Sequence, residues 1–351
     1  MNMRVKPLLT LLIIFTLGGI LTTPSSAATE PFIIIAANQQ QDEIQPAIAH
    51  SPSSGTYLVV YQEGVISGFP DPKVYMRMYD STGKPLESFA YDFGYVTYHP
   101  AVAYNSLHDV YGVAFIRDMG TYFQIEMHWI YGDRQLEVGA SIALFDSSNI
   151  NRKMNTAIAF NDNDLNDDFL IVWQEGNGNE WDIFAHRVNP MPPVGPQPYS
   201  PIDITADSTL SSFSEAYTNP DVTYNLNMNE YYIVFQYEKA DPIDNDADIL
   251  ARRVINDPSG PGPASLPLII LDNSSCDQYN PSVAAYRLNQ NYPYFVAFAD
   301  YLTISGCESE PSIRGIHLTK QGKLPVNGTF INVSANYQVW EDQPDIIASE
   351  A

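Results

Sequence analysis

One pattern recurs five times along the chain, at intervals of roughly sixty residues. Each unit opens with Pro or Thr, then a small or acidic residue, then a β-branched residue. The five openings are residues 46–49, 100–103, 156–159, 220–223 and 281–284, and a sixth opening begins at Pro344. A repeat of this length constrains the fold strongly, because each unit must bury its apolar face against the neighbouring units.

Within each unit, the opening is followed by a run of β-branched and aromatic residues, as in residues 57–61, 169–173 and 294–298. Clusters of Gly, Asn, Asp and Pro flank these runs, which is the pattern of strands rather than helices. A third run follows, for example at residues 182–188, and a less regular fourth run precedes the next opening. Four strands in each repeated unit predict an all-β chain folded as a β-propeller with four-stranded blades.

Both ends of the repeat carry an isolated strand pattern, at residues 32–36 and 344–348. Propellers often complete one blade with strands from both termini, since this removes an exposed sheet edge. Two interpretations remain: a six-bladed ring whose sixth blade is cut short in this sequence, or a five-bladed ring with two spare strands. We favour the first, with five complete repeats and a partial sixth blade, because the sequence stops within a unit.

The N-terminal residues 1–27 have the pattern of an export signal. Arg4 and Lys6 precede an apolar run, and small residues follow up to Ala27. The run is short for a membrane-spanning helix, and no charged segment follows it. We therefore expect cleavage near Ala27 and a β-propeller domain over residues 28–351. The mature protein is expected to be secreted or attached to the cell surface, as a monomer without a membrane span.

The formal net charge of −24 restricts the classes of partner. A chain this acidic repels a phosphate backbone, so nucleic acid is not an expected ligand. The acidity is consistent with solubility outside the cell or with cation binding in acidic loops.

The two cysteines, Cys276 and Cys307, both lie in the fifth repeat. In a meandering blade, the loop entering the first strand and the hairpin between the second and third strands share one face. Because the chain is predicted to reach an oxidising compartment, we expect a disulfide bond, contributing about 3 kcal/mol to stability. Two free buried thiols are the alternative.

Polar residues recur on this same face, which in propellers surrounds the mouth of the central channel. The second strands end in acids: Glu63, Asp118, Glu175, Glu238 and Asp300. The first strands begin after an amide or an imidazole: Gln45, His99, Asn155, Asn219, Asn280 and Gln343. These residues form the predicted ligand face. Because the acids recur in each blade, we expect each to support its own blade, through turn amides or a third-strand arginine (Arg77, Arg187 or Arg253), rather than to act in catalysis.

Two acidic loops offer oxygen atoms at alternate positions, the arrangement that Ca²⁺ prefers. The candidate ligands are Asp162, Asp164 and Asn166 in one loop and Asp244, Asp246 and Asp248 in the other. Both loops lack the Gly and the bidentate Glu of an EF-hand, so the alternative is a solvated turn rich in Asn and Asp. No other cofactor is predicted.

Tyrosines are frequent at strand ends and in loops, among them Tyr95 and Tyr98. Exposed tyrosine rings stack on sugars and peptides, and buried ones pack between blades. Both roles are compatible with the sequence.

Together these motifs resemble those of secreted bacterial propeller-repeat proteins, whose units read Pro-x-Val-Ala-Tyr-Asn, Tyr-Leu-Val-Val-Trp and Asp-Ile-Tyr-Ala-x-Arg-Val. Matching segments are residues 100–105, 57–61, 169–173 and 182–188, within a resemblance that spans residues 32–351. The resemblance implies the fold and export, and little about activity. The second and fifth units depart from it, with residues 125–131 and 313–319 in place of the third motif.

From these observations, we predict an exported, non-catalytic binding or scaffolding module for an extracellular glycan or protein. The alternative is a glycoside hydrolase of the five-bladed propeller type that uses carboxylates on the loop-rich face. Glycosidases need two carboxylates in different environments, whereas the recurring acids look equivalent, so no catalytic residue is assigned. The motifs of serine hydrolases and zinc proteases are also absent from the sequence.

Overall fold

The computed structural model describes residues 43–64, 71–87, 90–133, 138–144, 151–163, 167–177, 180–188, 201–206, 215–239, 247–256, 266–272, 276–286, 289, 291–301, 312–326, 328–333 and 344–346. All regular structure in these residues is β-strand. None of them forms a helix long and apolar enough to cross a membrane.

The strands form five successive antiparallel units of four. The first unit contains β1 (Glu43–Ser51), β2 (Thr56–Glu63), β3 (Lys73–Asp80) and β4 (Tyr91–Asp92). The second contains β5 (Thr97–Asn105), β6 (Val110–Asp118), β7 (Phe123–Tyr131) and β8 (Val138–Leu144). The third contains β9 (Arg152–Asn161), β10 (Asp168–Asn177), β11 (Glu180–Val188) and β12 (Ile202–Asp203).

The fourth unit contains β13 (Glu215–Asn225), β14 (Glu230–Lys239), β15 (Ala247–Ile255) and β16 (Ile269–Asp272). The fifth contains β17 (Asp277–Ala285), β18 (Tyr294–Tyr301), β19 (Ser312–Leu318) and β20 (Ile331–Asn332). Within every unit the strands pair in chain order. A single parallel pairing, Trp181 with Ala216, joins the third unit to the fourth.

The first strands of successive units contact one another, β1 with β5, β5 with β9, β9 with β13 and β13 with β17. First strands therefore lie innermost and the later strands point outward, which is the arrangement of blades around a central channel. The predicted all-β propeller class is confirmed. The number of blades in the complete ring stays a prediction, because residues 32–36 lie outside the described residues.

Most of the core lies between neighbouring blades. Buried side chains of the second strands pack across each interface; Leu58 and Val60 of the first blade share a cluster with Tyr111 and Phe115 of the second. Similar clusters join the second blade to the third, the third to the fourth and the fourth to the fifth. This pattern explains the apolar runs in the sequence, because both faces of each second strand are covered.

Each first strand is interrupted at its opening by a register shift in its pairing with the second strand. The residue at the shift has a left-handed backbone in every unit, with φ near 50°: Gln45, His99, Asn155, Asn219 and Asn280. Asn and His tolerate this conformation better than most side chains do. The recurring amide or imidazole thus has a backbone role that the sequence pattern alone does not reveal.

Candidate functional site

The left-handed residues hydrogen-bond to one another through their side chains across three of the four boundaries between the described blades. Gln45 Nε2 donates to His99 Nδ1 at 2.6 Å. Asn155 Nδ2 donates to Asn219 Oδ1 at 2.5 Å, and Asn219 Nδ2 donates to Asn280 Oδ1 at 2.9 Å. We call these five residues the amide ring. The structure thus brings these predicted ligand-face residues together; Gln343 lies outside the described residues.

Buried glutamines of the second strands hold the amide ring in place. Gln62 Oε1 accepts from the His99 backbone N–H at 3.0 Å. Gln174 Oε1 accepts from Asn155 Nδ2 and from the Asn219 N–H, both at 2.9 Å. Gln236 plays the same part for Asn219. Sequence reasoning missed these glutamines, although each stands within two residues of an acid that it singled out.

Burial lowers the pKa of His99 to about 4, so its imidazole is neutral at ordinary pH. Since Nδ1 accepts the hydrogen bond from Gln45, the remaining ring proton is on Nε2. His99 is therefore a neutral donor within the amide ring.

The acids at the ends of the second strands are not equivalent, contrary to the sequence prediction. The residues in matching register are Glu63, Arg117, Glu175, Tyr237 and Asp300. Asp118 and Glu238 lie one residue further along. Because successive side chains of a strand alternate between its faces, these two acids belong to the other face of their sheets.

The predicted pairing of Glu175 with Arg187 is wrong. Antiparallel pairing places Arg187 opposite Leu170, at the other end of β10, where its Nε lies 2.5 Å from Asp168 Oδ2. Glu175 instead pairs with Lys153 at 3.0 Å and accepts from Trp173 Nε1 at 2.9 Å.

The remaining predicted arginine partners also differ. Arg253 pairs with Glu230 at 2.7 Å, and Arg77 donates to the Glu87 carbonyl. Asp300 does pair with an arginine of its third strand, Arg314, at 2.6 Å. Two further acids have local partners: Asp118 accepts from the Gly120 amide, and Glu238 accepts from Gln236. Glu63 lies opposite Lys73 in the sheet.

The first strands differ from blade to blade at the residue after the opening Pro or Thr. Blades one to three have alanine there: Ala47, Ala101 and Ala157. The fourth blade has Asp221, the fifth has Ser282, and the sixth opening has Asp345. Sequence reasoning passed over this substitution, which was visible as a break in the alanine pattern.

These three polar residues are adjacent. Asp221 Oδ2 accepts from Ser282 Oγ at 3.0 Å and from the Val283 amide at 2.7 Å, across the boundary between blades four and five. On the other side, the Ile346 amide donates to Ser282 Oγ at 3.3 Å, which brings Asp345 beside the fifth blade. We call Asp221 and Asp345 the carboxylate pair. Asp221 is half-buried and Asp345 is exposed.

Burial raises the pKa of Asp221 to about 6, and the neighbouring Asp345 carboxylate raises it further. Hydrogen bonds from Val283, Val222 and Ser282 act in the opposite direction and lower this pKa. Desolvation by the surrounding residues also raises the pKa of Asp345, although its side chain reaches solvent. The surroundings therefore favour the protonated form of both carboxyl groups, and for Asp221 the neighbouring charge adds to the effect of burial.

Of the predicted calcium ligands, four lie outside the described residues: Asp164, Asn166, Asp244 and Asp246. Asp248 is buried within β15, opposite Tyr237, and so is not part of an exposed loop. Among the described residues, including Asp162, no group of three or more His, Cys, Asp or Glu could hold a metal ion. Cys276 is buried, while Cys307 lies outside the described residues, so their disulfide bond stays a prediction.

Comparison with known proteins adds structural neighbours only. No family model matches the chain, and no curated protein matches it. A levansucrase of B. megaterium is 9% identical, covering 87% of each chain with a TM-score of 0.48. An α-L-arabinofuranosidase from Lactobacillus brevis is 9% identical with a TM-score of 0.47, covering 84% of this chain and 97% of that one. The Hadza microbial sialidase Hz136 is 10% identical with a TM-score of 0.45, covering 79% and 56%.

These neighbours correct one prediction. The sequence favoured a non-catalytic binding or scaffolding module, whereas the neighbouring structures carry the names of carbohydrate-active enzymes. The binding-module prediction is therefore contradicted, and an enzyme that uses carboxylates is proposed in its place.

Proposed function

We propose that the protein is a glycoside hydrolase whose reacting groups are the carboxylate pair, Asp221 and Asp345. The observation that supports this is the pairing of two unlike carboxylates across Ser282 at the inner edge of the blades. One is half-buried with its pKa raised to about 6, and the other is exposed. The sequence-based objection to an enzyme was that the acids looked equivalent, and these two are not.

Cleavage of a glycosidic bond needs one carboxylic acid that protonates the leaving oxygen and one carboxylate that assists at the anomeric carbon. Asp221 is the proton donor in this proposal, because burial favours its protonated form. Asp345 takes the role of the ionised group in this proposal, because it is the more exposed of the two carboxylates. It attacks the anomeric carbon directly or activates a water molecule, and the anomeric configuration of the first product distinguishes the two routes.

The amide ring supplies the groups that bind the substrate. Its amides both donate and accept hydrogen bonds, and neutral His99 contributes a donor, which suits the hydroxyl groups of a sugar. Asn219 belongs to the same first strand as Asp221, two residues before it. A sugar held by the ring would therefore lie near the carboxylate pair.

The test is reducing-sugar release from a panel of soluble polysaccharides by the wild type and by Asp221→Asn, which keeps an acceptor for the Val283 amide. We expect turnover to fall by roughly 10²- to 10⁴-fold while the melting temperature at pH 7 is kept or raised. Asp133→Asn is the matched control, because Asp133 is exposed just after β7 and lies outside both the carboxylate pair and the amide ring, and it should retain turnover. Hydrolysis that survives both Asp221→Asn and Asp345→Asn, or hydrolysis of no polysaccharide by the wild type, would contradict the proposal.

A further inference from the structure

An open cleft of about 420 Å³ lies between the first and second blades, on different blades from the carboxylate pair. Its volume is in the range of small-ligand sites. The side chains that line it include Asp71, Lys73, Tyr95, Arg117, Asp118 and Met119. The proposed reaction uses none of these residues.

The second blade is built differently at this cleft. Arg117 occupies the second-strand position that holds an acid in blades one, three and five, namely Glu63, Glu175 and Asp300. In the second blade, the third strand supplies the acid instead. Glu126 occupies the position at which blades one, three and four have Tyr75, Phe184 and Leu250. The departure of this unit from the repeat thus places a cation at the cleft.

Arg117 is held rigidly in the cleft. Its Nη1 donates to Glu126 Oε1 at 2.8 Å, and Glu126 is itself buried and bonded to Gln124 at 3.1 Å. The guanidinium lies 3.4 Å from the centre of the Tyr95 ring, which is 48% exposed. Glu126 and the Tyr95 side chain each take a hydrogen bond from Arg117, and since an arginine has five N–H donors, part of the guanidinium remains for other acceptors.

The walls of the cleft are also fixed. The Gly94 and Gly120 amides each donate to an aspartate two residues earlier, Asp92 and Asp118, at 2.6 Å. Both glycines have positive φ, and a Cβ at either would meet no atom within 4 Å, so the backbone at the rim is open to approach. Lys73 is anchored to Asp92 at 2.7 Å.

The chemistry of the lining selects the class of ligand. The two cations of the lining, Lys73 and Arg117, are each paired with an acid, Asp92 and Glu126, and the lining holds two further acids, Asp71 and Asp118, so the cleft does not favour an anionic ligand. It offers donors, acceptors and an exposed aromatic ring together, and this combination suits the hydroxyls and the apolar face of an uncharged sugar.

We propose that this cleft is an anchoring subsite for an uncharged sugar unit of a polymeric glycan. The sugar stacks on Tyr95, on the face that Arg117 leaves open, and its hydroxyls bond with Arg117, Lys73 and Asp118. The class of ligand rests on the proposed function, whereas the existence of the site does not depend on the carboxylate pair.

The experiment is affinity electrophoresis in gels that contain laminarin, xylan, levan or arabinan. We expect at least one polymer to retard the wild type, and Tyr95→Ala to lose about tenfold in affinity. Tyr95→Phe, which keeps the ring, should remain within about twofold of the wild type. Tyr292→Ala is the matched control, because Tyr292 is an exposed tyrosine of the fifth unit, 40% exposed. This variant should migrate as the wild type does.

The outcomes separate this inference from the proposed function. Asp221→Asn should lose turnover and still be retarded, because its substitution leaves the cleft intact. Unchanged retardation of Tyr95→Ala, or no retardation by any of the four polymers, overturns the subsite whatever the turnover. Stronger retardation by anionic polygalacturonate than by every uncharged polymer overturns the assignment to an uncharged sugar.

Discussion

Asp221 should make activity and stability depend on pH in a defined direction. Its pKa is about 6 in the folded protein against an ordinary value of 3.8 for an aspartate, so between these values the folded state binds more protons than the unfolded state does. The contribution of Asp221 to stability therefore falls as pH rises from about 4 to about 6. As the proton donor, Asp221 should also make kcat/KM fall as pH rises through about 6.

The measurement is the melting temperature and kcat/KM at several pH values between 4 and 8. Asp221→Asn should raise the melting temperature at pH 7 relative to the wild type, and this gain should shrink toward pH 4. A gain that does not change with pH would contradict the assigned protonation.

His99 should act in the opposite direction. Burial lowers its pKa to about 4 from 6.5, so below pH 6.5 the unfolded state binds more protons than the folded state. The stability that neutral His99 contributes is then complete above about pH 6.5 and is lost as pH falls toward 4. His99→Asn, which keeps a residue that tolerates the left-handed backbone, should weaken this acid destabilisation. We expect the melting temperatures of wild type and variant to converge as pH is lowered from 7 to 4.5.

Asp168 and Arg187 form a buried ion pair in the third blade, in which the arginine side chain is 1% exposed and the aspartate side chain is 6% exposed. Tyr231 of the fourth blade donates to the same carboxylate at 2.6 Å. Asp168→Ala removes the carboxylate from the buried Arg187 and should cost about 3–5 kcal/mol in the free energy of unfolding. Tyr231→Phe should cost about 1 kcal/mol. Urea unfolding measures both, and equal costs would contradict this assignment.

The sequence allowed the ion pairs between neighbouring strands to be predicted as a type of interaction, but not the residues that form them. An arginine of the third strand was expected to pair with an acid of the second, and in the third blade it does. However, antiparallel pairing brings Arg187 to Asp168 at the start of β10 rather than to Glu175 near its end. The fourth blade has one residue more than the third blade before its strand-end acid, between Phe235 and Glu238. This extra residue moves Glu238 to the other face of its sheet. Register of this kind depends on backbone pairing that a single sequence does not display.

At the level of the strand, the left-handed residue of each opening is the element that links fold to site. Asn219 has φ of 51° and bonds Asn280 and Gln236 through its side chain. Asn219→Gly removes the side-chain hydrogen bonds, and glycine adopts the left-handed backbone conformation without strain. Asn219→Ala removes the bonds and adds the cost of a left-handed L-residue, about 1–2 kcal/mol.

We therefore expect Asn219→Ala to be less stable than Asn219→Gly by about 1 kcal/mol, which reverses the usual order of these residues in a strand. Thermal denaturation of the two variants checks this. Ala103→Gly is the control, because Ala103 lies in the first strand β5 at a position without a positive φ, and there the alanine form should be the more stable. If glycine is the less stable residue at both positions, the backbone at Asn219 is not strained.

For the whole molecule, the repeat made the architecture predictable and concealed the site. Five similar units and their apolar runs are enough to predict blades, since the core lies between them. The same regularity drew attention to the residues that recur, such as the strand-end acids and the amide ring. The carboxylate pair consists of the positions that do not recur, and their meaning depends on which blades are neighbours.

The carboxylate pair depends on the sixth opening, which contributes Asp345. Ile346 packs against buried Ala297, Ala299 and Ile313 of the fifth blade, and this contact holds the adjacent Asp345 beside Ser282. Ile346→Ala should cost about 1–2 kcal/mol, because a half-buried isoleucine loses part of what a fully buried one would. Val326→Ala is the control: Val326 is 93% exposed, and its truncation should change stability by less than about 0.5 kcal/mol.

The same two variants test the link between packing and chemistry. Because Asp345 is positioned by the Ile346 contact, Ile346→Ala should also lower the rate of polysaccharide hydrolysis, whereas Val326→Ala should not. If both variants keep the stability and the rate of the wild type, residues 344–346 do not hold a carboxylate against the fifth blade. In that case Asp221 would lack its partner, and the proposed reaction would have no ionised group.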